Sequence, residues 1–229
     1  FPTKDTVPLP YPHLLAFELQ MGIMTDPGFP APAIGTVHLE NSITQHRPVN
    51  AAEKVNLTCE FGELKPHDKG MQFALIGKGY VGNELVWSSE SVYLRRQSTG
   101  AEAKSDKPKE TKSAGTPDFN AIWEIPGDIG RQYGAVSGDR NPIHLYNFTA
   151  KLFGFPRAIA HGMWTNARAL SCLLPSTPLE QGTLAVEFKT PLYLPGRASL
   201  WSARSDDGAF FEVRDAKGQK PHLRGQLSY

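Results

Sequence analysis

Gly35-Thr36-Val37-His38-Leu39-Glu40 and Gly182-Thr183-Leu184-Ala185-Val186-Glu187 are two copies of one pattern, a Gly-Thr opening a strand-like run that ends on glutamate. In the second copy Leu184, Val186 and Phe188 alternate with Ala185, Glu187 and Lys189, the two-residue period of a strand with one face buried. An apolar run of helical length precedes each copy, residues 14–24 ahead of the first and residues 163–174 ahead of the second. The glycines and the glutamates are offset by the same number of residues, and that offset lays His13 next to His161. The chain reads as an internal duplication.

Further strands follow each copy. Val55, Leu57, Cys59 and Phe61 alternate with polar residues, and residues 72–78 and 85–95 form another pair. In the second half residues 198–204, 209–214 and 222–229 do the same, joined by the turn dipeptides Asp207-Gly208 and Lys217-Gly218. A long helix laid on an antiparallel sheet is an α+β pattern. Between the halves residues 97–117, QSTGAEAKSDKPKETKSAGTP, lack large apolar side chains and read as a flexible linker. The expected organisation is therefore 1–96, a 97–117 linker and 118–229. The halves are unequal, because the second has a much longer run before its helix. Either the opening strand of the first repeat is lost or residues before Phe1 are absent from this sequence; the second is favoured, since a sheet lacking a strand leaves an edge to protect.

The formal net charge of +1 over 229 residues, with no basic stripe interleaved with aromatics, gives no sign of nucleic acid as partner. The apolar run at 14–24 is too short to cross a membrane and is interrupted by Glu18. Cys59 and Cys172 read as two buried free thiols, which favours a reducing compartment and a cytoplasmic location. Gly77-Lys78-Gly79-Tyr80-Val81-Gly82 has the letters of a dinucleotide fingerprint, but the run after it alternates as a strand, so a hairpin turn is expected and no nucleotide cofactor. The seven histidines show no metal-ligand spacing, and no metal is expected.

The chemistry concentrates in residues 133–150, YGAVSGDRNPIHLYNFTA. Asn141 before Pro142 is a helix start, so Asp139 lies in the preceding turn and His144 in the first helical turn, where the helix dipole would keep the imidazole neutral. The two side chains could share one water, the geometry of general acid–base work. Ser137 lacks the surroundings of a nucleophile elbow and reads as a turn-stabilising hydroxyl. His161 is expected to bond backbone and shape its loop rather than touch substrate.

Tyr133, Val136-Ser137-Gly138-Asp139, Asn141-Pro142-Ile143-His144 and Ala150, with Ile159-Ala160-His161-Gly162-Met163 further on, resemble the hydratase 2 motif of the MaoC-like (R)-specific enoyl-thioester hydratases and dehydratases. Residues 150–156, AKLFGFP, and residues 43–48, ITQHRP, extend the resemblance toward mycobacterial-type double-hotdog 3-hydroxyacyl-thioester dehydratases. The resemblance implies a double hotdog fold and reversible syn hydration of trans-2-enoyl thioesters to (R)-3-hydroxyacyl thioesters in fatty-acid metabolism. It implies an Asp139–His144 dyad, a backbone oxyanion donor at Gly162, and Asn141 in support. Tyr133, Phe153, Phe155 and Trp164 are candidates for lining an acyl pocket. The substrate would be an acyl thioester of coenzyme A or acyl carrier protein, with a homodimer of such chains open. Where the family has a serine on its central helix this chain has Leu170, with Ser171 beside it. Two alternatives stay open: a thioesterase on the same fold, and a non-catalytic acyl-thioester binding subunit.

Overall fold

The computed structural model describes residues 5–30, 35–96, 117–174 and 179–229. The linker reading at 97–117 therefore falls almost wholly outside the described residues. Nine antiparallel strands form one sheet in the order β2-β3-β4-β1-β6-β9-β8-β7-β5. The first half supplies β1 (Thr36–Gln45), β2 (Asn56–His67), β3 (Gly70–Val81) and β4 (Glu84–Arg96). The second supplies β5 (Asp118–Ile125), β6 (Gly182–Phe188), β7 (Gly196–Ser205), β8 (Gly208–Asp215) and β9 (Pro221–Ser228). Setting β5 aside, the order reads the same from both ends when β1 to β4 are matched with β6 to β9. The join is β1 against β6, where Glu40 stands directly opposite Glu187.

Two helices lie on one face. Helix α1 (Tyr11–Thr25) touches β2 and β3, and helix α5 (Gly162–Leu173) touches β8 and β9. Prolines at the start of α1 cost it no needed donor, and it buries His13, Ala16, Gln20 and Met24 on a single stripe. It stops at Asp26-Pro27, where the Asp26 carboxylate accepts the Gly28 N–H at 2.7 Å. The main core fills the space between helices and sheet, with Ala16, Ala169, Leu170 and Leu173 against Ile43, Trp87, Leu184, Phe211, Leu223 and Leu227. Trp87 also donates its indole N–H to the Leu9 carbonyl at 3.1 Å, tying the chain ahead of α1 to β4.

Among the described residues the first half has no counterpart of β5, so β2 forms one edge of the sheet. It carries a bulge between Phe61 and Leu64, Pro66, and the ion pairs Lys65–Glu63 and Lys78–Glu60, features that discourage edge pairing. Gly77 and Gly79 lie within β3, and Gly82 turns the chain into β4, as the hairpin reading required. The two cysteines are free, but the expectation of burial fails. Cys172 is exposed because it faces away from the stripe that α5 lays on the core, and Cys59 on the edge strand is only half-buried.

Candidate active site

The segment before α5 builds the site. Helix α2 (Ile129–Ser137) ends at Gly138, whose φ of 77° is the left-handed cap that glycine adopts without a Cβ clash. The Ser137 hydroxyl donates to the Tyr133 carbonyl at 2.9 Å and accepts the Asp139 N–H at 3.2 Å, the turn-stabilising role read from the sequence. One Asp139 carboxylate oxygen accepts the Asn141 N–H at 3.0 Å, and the Asn141 side chain in turn accepts the Ile143 N–H. Asn141 thus caps α3 (Pro142–Leu145) and holds the acid in its turn.

Helix α3 is a single turn. Tyr146 is extended, and α4 (Asn147–Leu152) starts afresh behind it. A helix this short has little dipole, which corrects the cause expected for a neutral His144. Burial is the main influence pulling the His144 pKa below the usual histidine value, against the opposing pull of the Asp139 charge and of the Ile159 carbonyl.

His144 Nδ1 lies 2.8 Å from the Ile159 carbonyl oxygen. A carbonyl only accepts, so Nδ1 carries the proton and Nε2 presents a lone pair. The His161 ring stacks on His144 at 3.7 Å between centroids, and its Nε2 donates to the Asp139 backbone carbonyl at 3.0 Å. His161 is 2 % exposed, and burial followed by the neighbouring His144 pulls its pKa down to about 3. It is therefore a neutral strut that fixes the Asp139 turn through the backbone, as its sequence position suggested. The nearest Asp139 carboxylate oxygen stands 3.7 Å from His161 Nε2, a contact with a neutral ring rather than an ion pair. One ligand-type atom from each of Asp139, His144 and His161 falls within a 4.8 Å cluster. By residue type the three could hold a cation, a grouping that spacing in the sequence did not reveal.

Two glycines that sequence reading passed over let the parts meet. A Cβ on Gly130 would stand 1.9 Å from the His144 carbonyl oxygen, and one on Gly134 would stand 2.8 Å from that of Asp139. Helix α2 therefore lies directly against the backbone of both His144 and Asp139. At the start of α5, Gly162 has an amide with no partner inside the helix, placed at its positive end. The Phe188 ring lies against its Cα, where a Cβ would come within 2.6 Å, so the close approach that demands glycine here is made by Phe188.

Of the four aromatics expected near a pocket, Tyr133 packs its ring 4.9 Å from His161, and Trp164 packs on the main core. Phe153 ends α4 at 39 % exposure and Phe155 is half-buried. Leu170 is core, and the Ser171 hydroxyl donates to the Arg168 carbonyl on the exposed side of α5. A residue that sequence reading missed is Asn166, one turn beyond Gly162: it is fully buried and neither amide atom has a partner among the described residues.

A neutral imidazole with an open nitrogen, a carboxylate held beside it and a glycine amide at a helix start are the groups that general acid–base chemistry of the dehydratase class would use. The chain belongs to the MaoC-like domain family, which matches residues 99–224. It is 36 % identical over 219 residues to 3-hydroxyacyl-thioester dehydratase X of Mycobacterium tuberculosis, covering 96 % of this chain and 78 % of that protein. The crystal structure of HtdX from the same organism superposes with a TM-score of 0.82 at 32 % identity, covering 97 % of this chain and 87 % of that one. The fold is thus shared with hotdog-type MaoC proteins. An acyl-ACP thioesterase from Bacteroides thetaiotaomicron, 12 % identical with a TM-score of 0.61 over 98 % of this chain and 90 % of that one, shares the fold alone.

Proposed function

We propose that the protein is a hydro-lyase that interconverts trans-2-enoyl and (R)-3-hydroxyacyl thioesters by syn addition or loss of water. The observation that carries this reading is His144, whose Nδ1 is committed to the Ile159 carbonyl while Nε2 stays open in a cluster with the Asp139 carboxylate. The two would hold one water. As its oxygen bonds to the β carbon, one member of the pair takes a proton and electrons move onto the thioester oxygen. The pair then gives one proton to the α carbon, so H and OH add across the double bond and the pair regains its starting protonation. Because neighbouring acid and base titrate together, acid and base labels belong to the pair. The Gly162 N–H would donate to the enolate oxygen with the start of α5 behind it, a contact worth most in the transition state. Asn141 supports the pair by fixing its turn.

The same reading takes the chain as two hotdog repeats, 1–96 and 118–229, with one site in the second, a proposal supported by the mirrored strand order and the Glu40–Glu187 pairing. Tyr133, Phe153, Phe155 and Trp164 remain candidates for its acyl pocket, and coenzyme A and acyl carrier protein both remain possible carriers. Among the described residues no helix is long and apolar enough to cross a membrane. The free thiols fit the proposed cytoplasmic setting.

The test is crotonyl-CoA with absorbance of the conjugated enoyl thioester, free thiol and product chirality followed together. Hydration bleaches the enoyl band without thiol and yields the (R)-alcohol. Thiol release instead would mark a thioesterase, and binding without either change would mark a carrier subunit.

A further inference from the structure

On β1 and β4 the first half buries polar groups where the matching strands β6 and β9 bury hydrocarbon. Along α1, Ala16 belongs to the main core and Met24 to a smaller apolar cluster with Phe73, Leu75 and Tyr93; between them Gln20 is fully buried. Along β4, Trp87 belongs to the main core, and buried Ser89 and Ser91 follow before Tyr93. On β1, Ile43 gives way to buried Asn41 and then to His38, set by a bulge opposite Tyr93. The matching strands of the second half carry Leu184 and Val186, and Leu223 and Leu227.

These polar groups satisfy one another only in part. Tyr93 donates to Gln20 Oε1 at 3.1 Å and Asn41 Nδ2 donates to Ser91 Oγ at 3.0 Å. Yet His13 Nδ1, Gln20 Nε2, His38 Nε2, Asn41 Oδ1 and Ser89 Oγ are buried without a partner among the described residues. Buried polar atoms left unmatched oppose folding, so several in one place call for a role other than packing. His13 is 4 % exposed and Gln20 0 %.

The group adjoins the dyad. His38 stacks on Tyr93 at 4.5 Å, lies 4.8 Å from the Phe188 ring and 6.4 Å from that of His13. Phe188 in turn lies against Gly162. The Asp139 charge reaches the Tyr93 phenol and, after burial, helps hold it protonated. An acyl chain whose thioester oxygen sits on the Gly162 amide has Phe188 beside it and the polar group one ring further on.

We propose that His13, Gln20, His38 and Tyr93 form a hydrogen-bonding subsite of the acyl pocket that receives a neutral oxygen substituent, a hydroxyl, several carbons beyond the reacting double bond. This rests on the hydratase reading of Asp139 and His144. Gln20 Nε2 donates, and each neutral imidazole offers one nitrogen that accepts, which matches a hydroxyl's donor and acceptor together. Both imidazoles are held uncharged by burial, His13 near pKa 4 and His38 near 3, so the cluster lacks the cation that a carboxylate would need.

The experiment compares kcat/KM for trans-2-decenoyl-CoA and for the same chain carrying one hydroxyl at successive positions from C5 to C9. Crotonyl-CoA hydration by the wild type is checked first, and its failure counts against the dyad reading rather than the subsite. The wild type should favour one hydroxylated chain by about tenfold or more, because a site built to bond a hydroxyl discriminates against the analogue lacking it. Tyr93→Phe and Gln20→Leu should erase that preference mainly through KM. A wild type that favours the plain chain over every hydroxylated one, or a preference that survives both substitutions, overturns the proposal. Should Gln20→Leu fail to fold, Tyr93→Phe, which keeps the ring, decides alone.

Discussion

The two halves share a framework and differ in what precedes the helix and in what the matching strands bury. Each lays one helix on four antiparallel strands, and the two sets meet at β1 and β6 in mirrored order. The second half adds β5 and helices α2 to α4, and that added segment brings Asp139 and His144 to the start of α5. The first half lacks such a segment among the described residues, and its strands β1 and β4 bury Asn41, Ser89 and Ser91 where β6 and β9 bury hydrocarbon. The comparison teaches that the shared helix-on-sheet core serves as scaffold, while the proposed chemistry depends on the segment ahead of one helix. That segment needs its own close-packing solution, supplied by Gly130 and Gly134.

The sharpest way to break this contrast is to disable the second half alone. Asp139→Asn and His144→Gln should each lower kcat for crotonyl-CoA by about 10²–10⁴, the range for losing a general acid or base, with the circular dichroism spectrum unchanged. Near-normal activity in either would move the chemistry elsewhere. Next in size, Gly130→Ala must push α2 off the His144 carbonyl, and a displacement of that kind should cost about 10² in kcat. A normal rate there would show that the dyad does not depend on α2.

Titration sharpens the contrast from both sides. The pair must hold a free lone pair to take the water's proton, and burial lowers the His144 pKa, so the acid limb of kcat/KM, which belongs to the pair, should lie below the usual histidine value of 6.5. In the first half, His13 and His38 stay neutral down to about 4 and 3 when folded but titrate near 6.5 when unfolded. Below pH 6.5 the unfolded chain therefore binds protons that the folded one does not, and stability falls as pH drops. Each histidine contributes a slope of up to about 1.4 kcal/mol per pH unit, which thermal melts between pH 7.5 and 5 should register. A melting temperature flat across that window would show that the polar cluster takes up protons without unfolding. Smaller still, Asn141→Ala removes the α3 cap and should cost about 1 kcal/mol of stability, measured by urea unfolding.

Much of this organisation was legible in the sequence because it rests on local signals. The two-residue period and the turn dipeptides mark the strands that follow each copy, though not β5, and the Asn141-Pro142 pair marks the cap of α3 beside the proposed dyad. What stayed hidden rests on contacts between distant segments. Helix α2 carries Gly130 and Gly134, poor helix formers whose value appears only when the backbone of residues 139 and 144 is laid against them. The stacking of His161 on His144 joins two loops, and Asn166 reads in sequence as an ordinary helix residue. In the first half, Asn41, Ser89 and Ser91 look like the wet face of a strand, since alternation shows that a strand has two faces without saying which is buried. The same ambiguity on a helix misplaced Cys172.

The most direct test is to follow crotonyl-CoA with the wild type and Asp139→Asn side by side, reading enoyl absorbance, thiol and the chirality of the product. The account predicts rapid bleaching to the (R)-3-hydroxyacyl thioester without thiol in the wild type, and its loss in the variant. Thiol release by the wild type, or bleaching that Asp139→Asn leaves untouched, would contradict it.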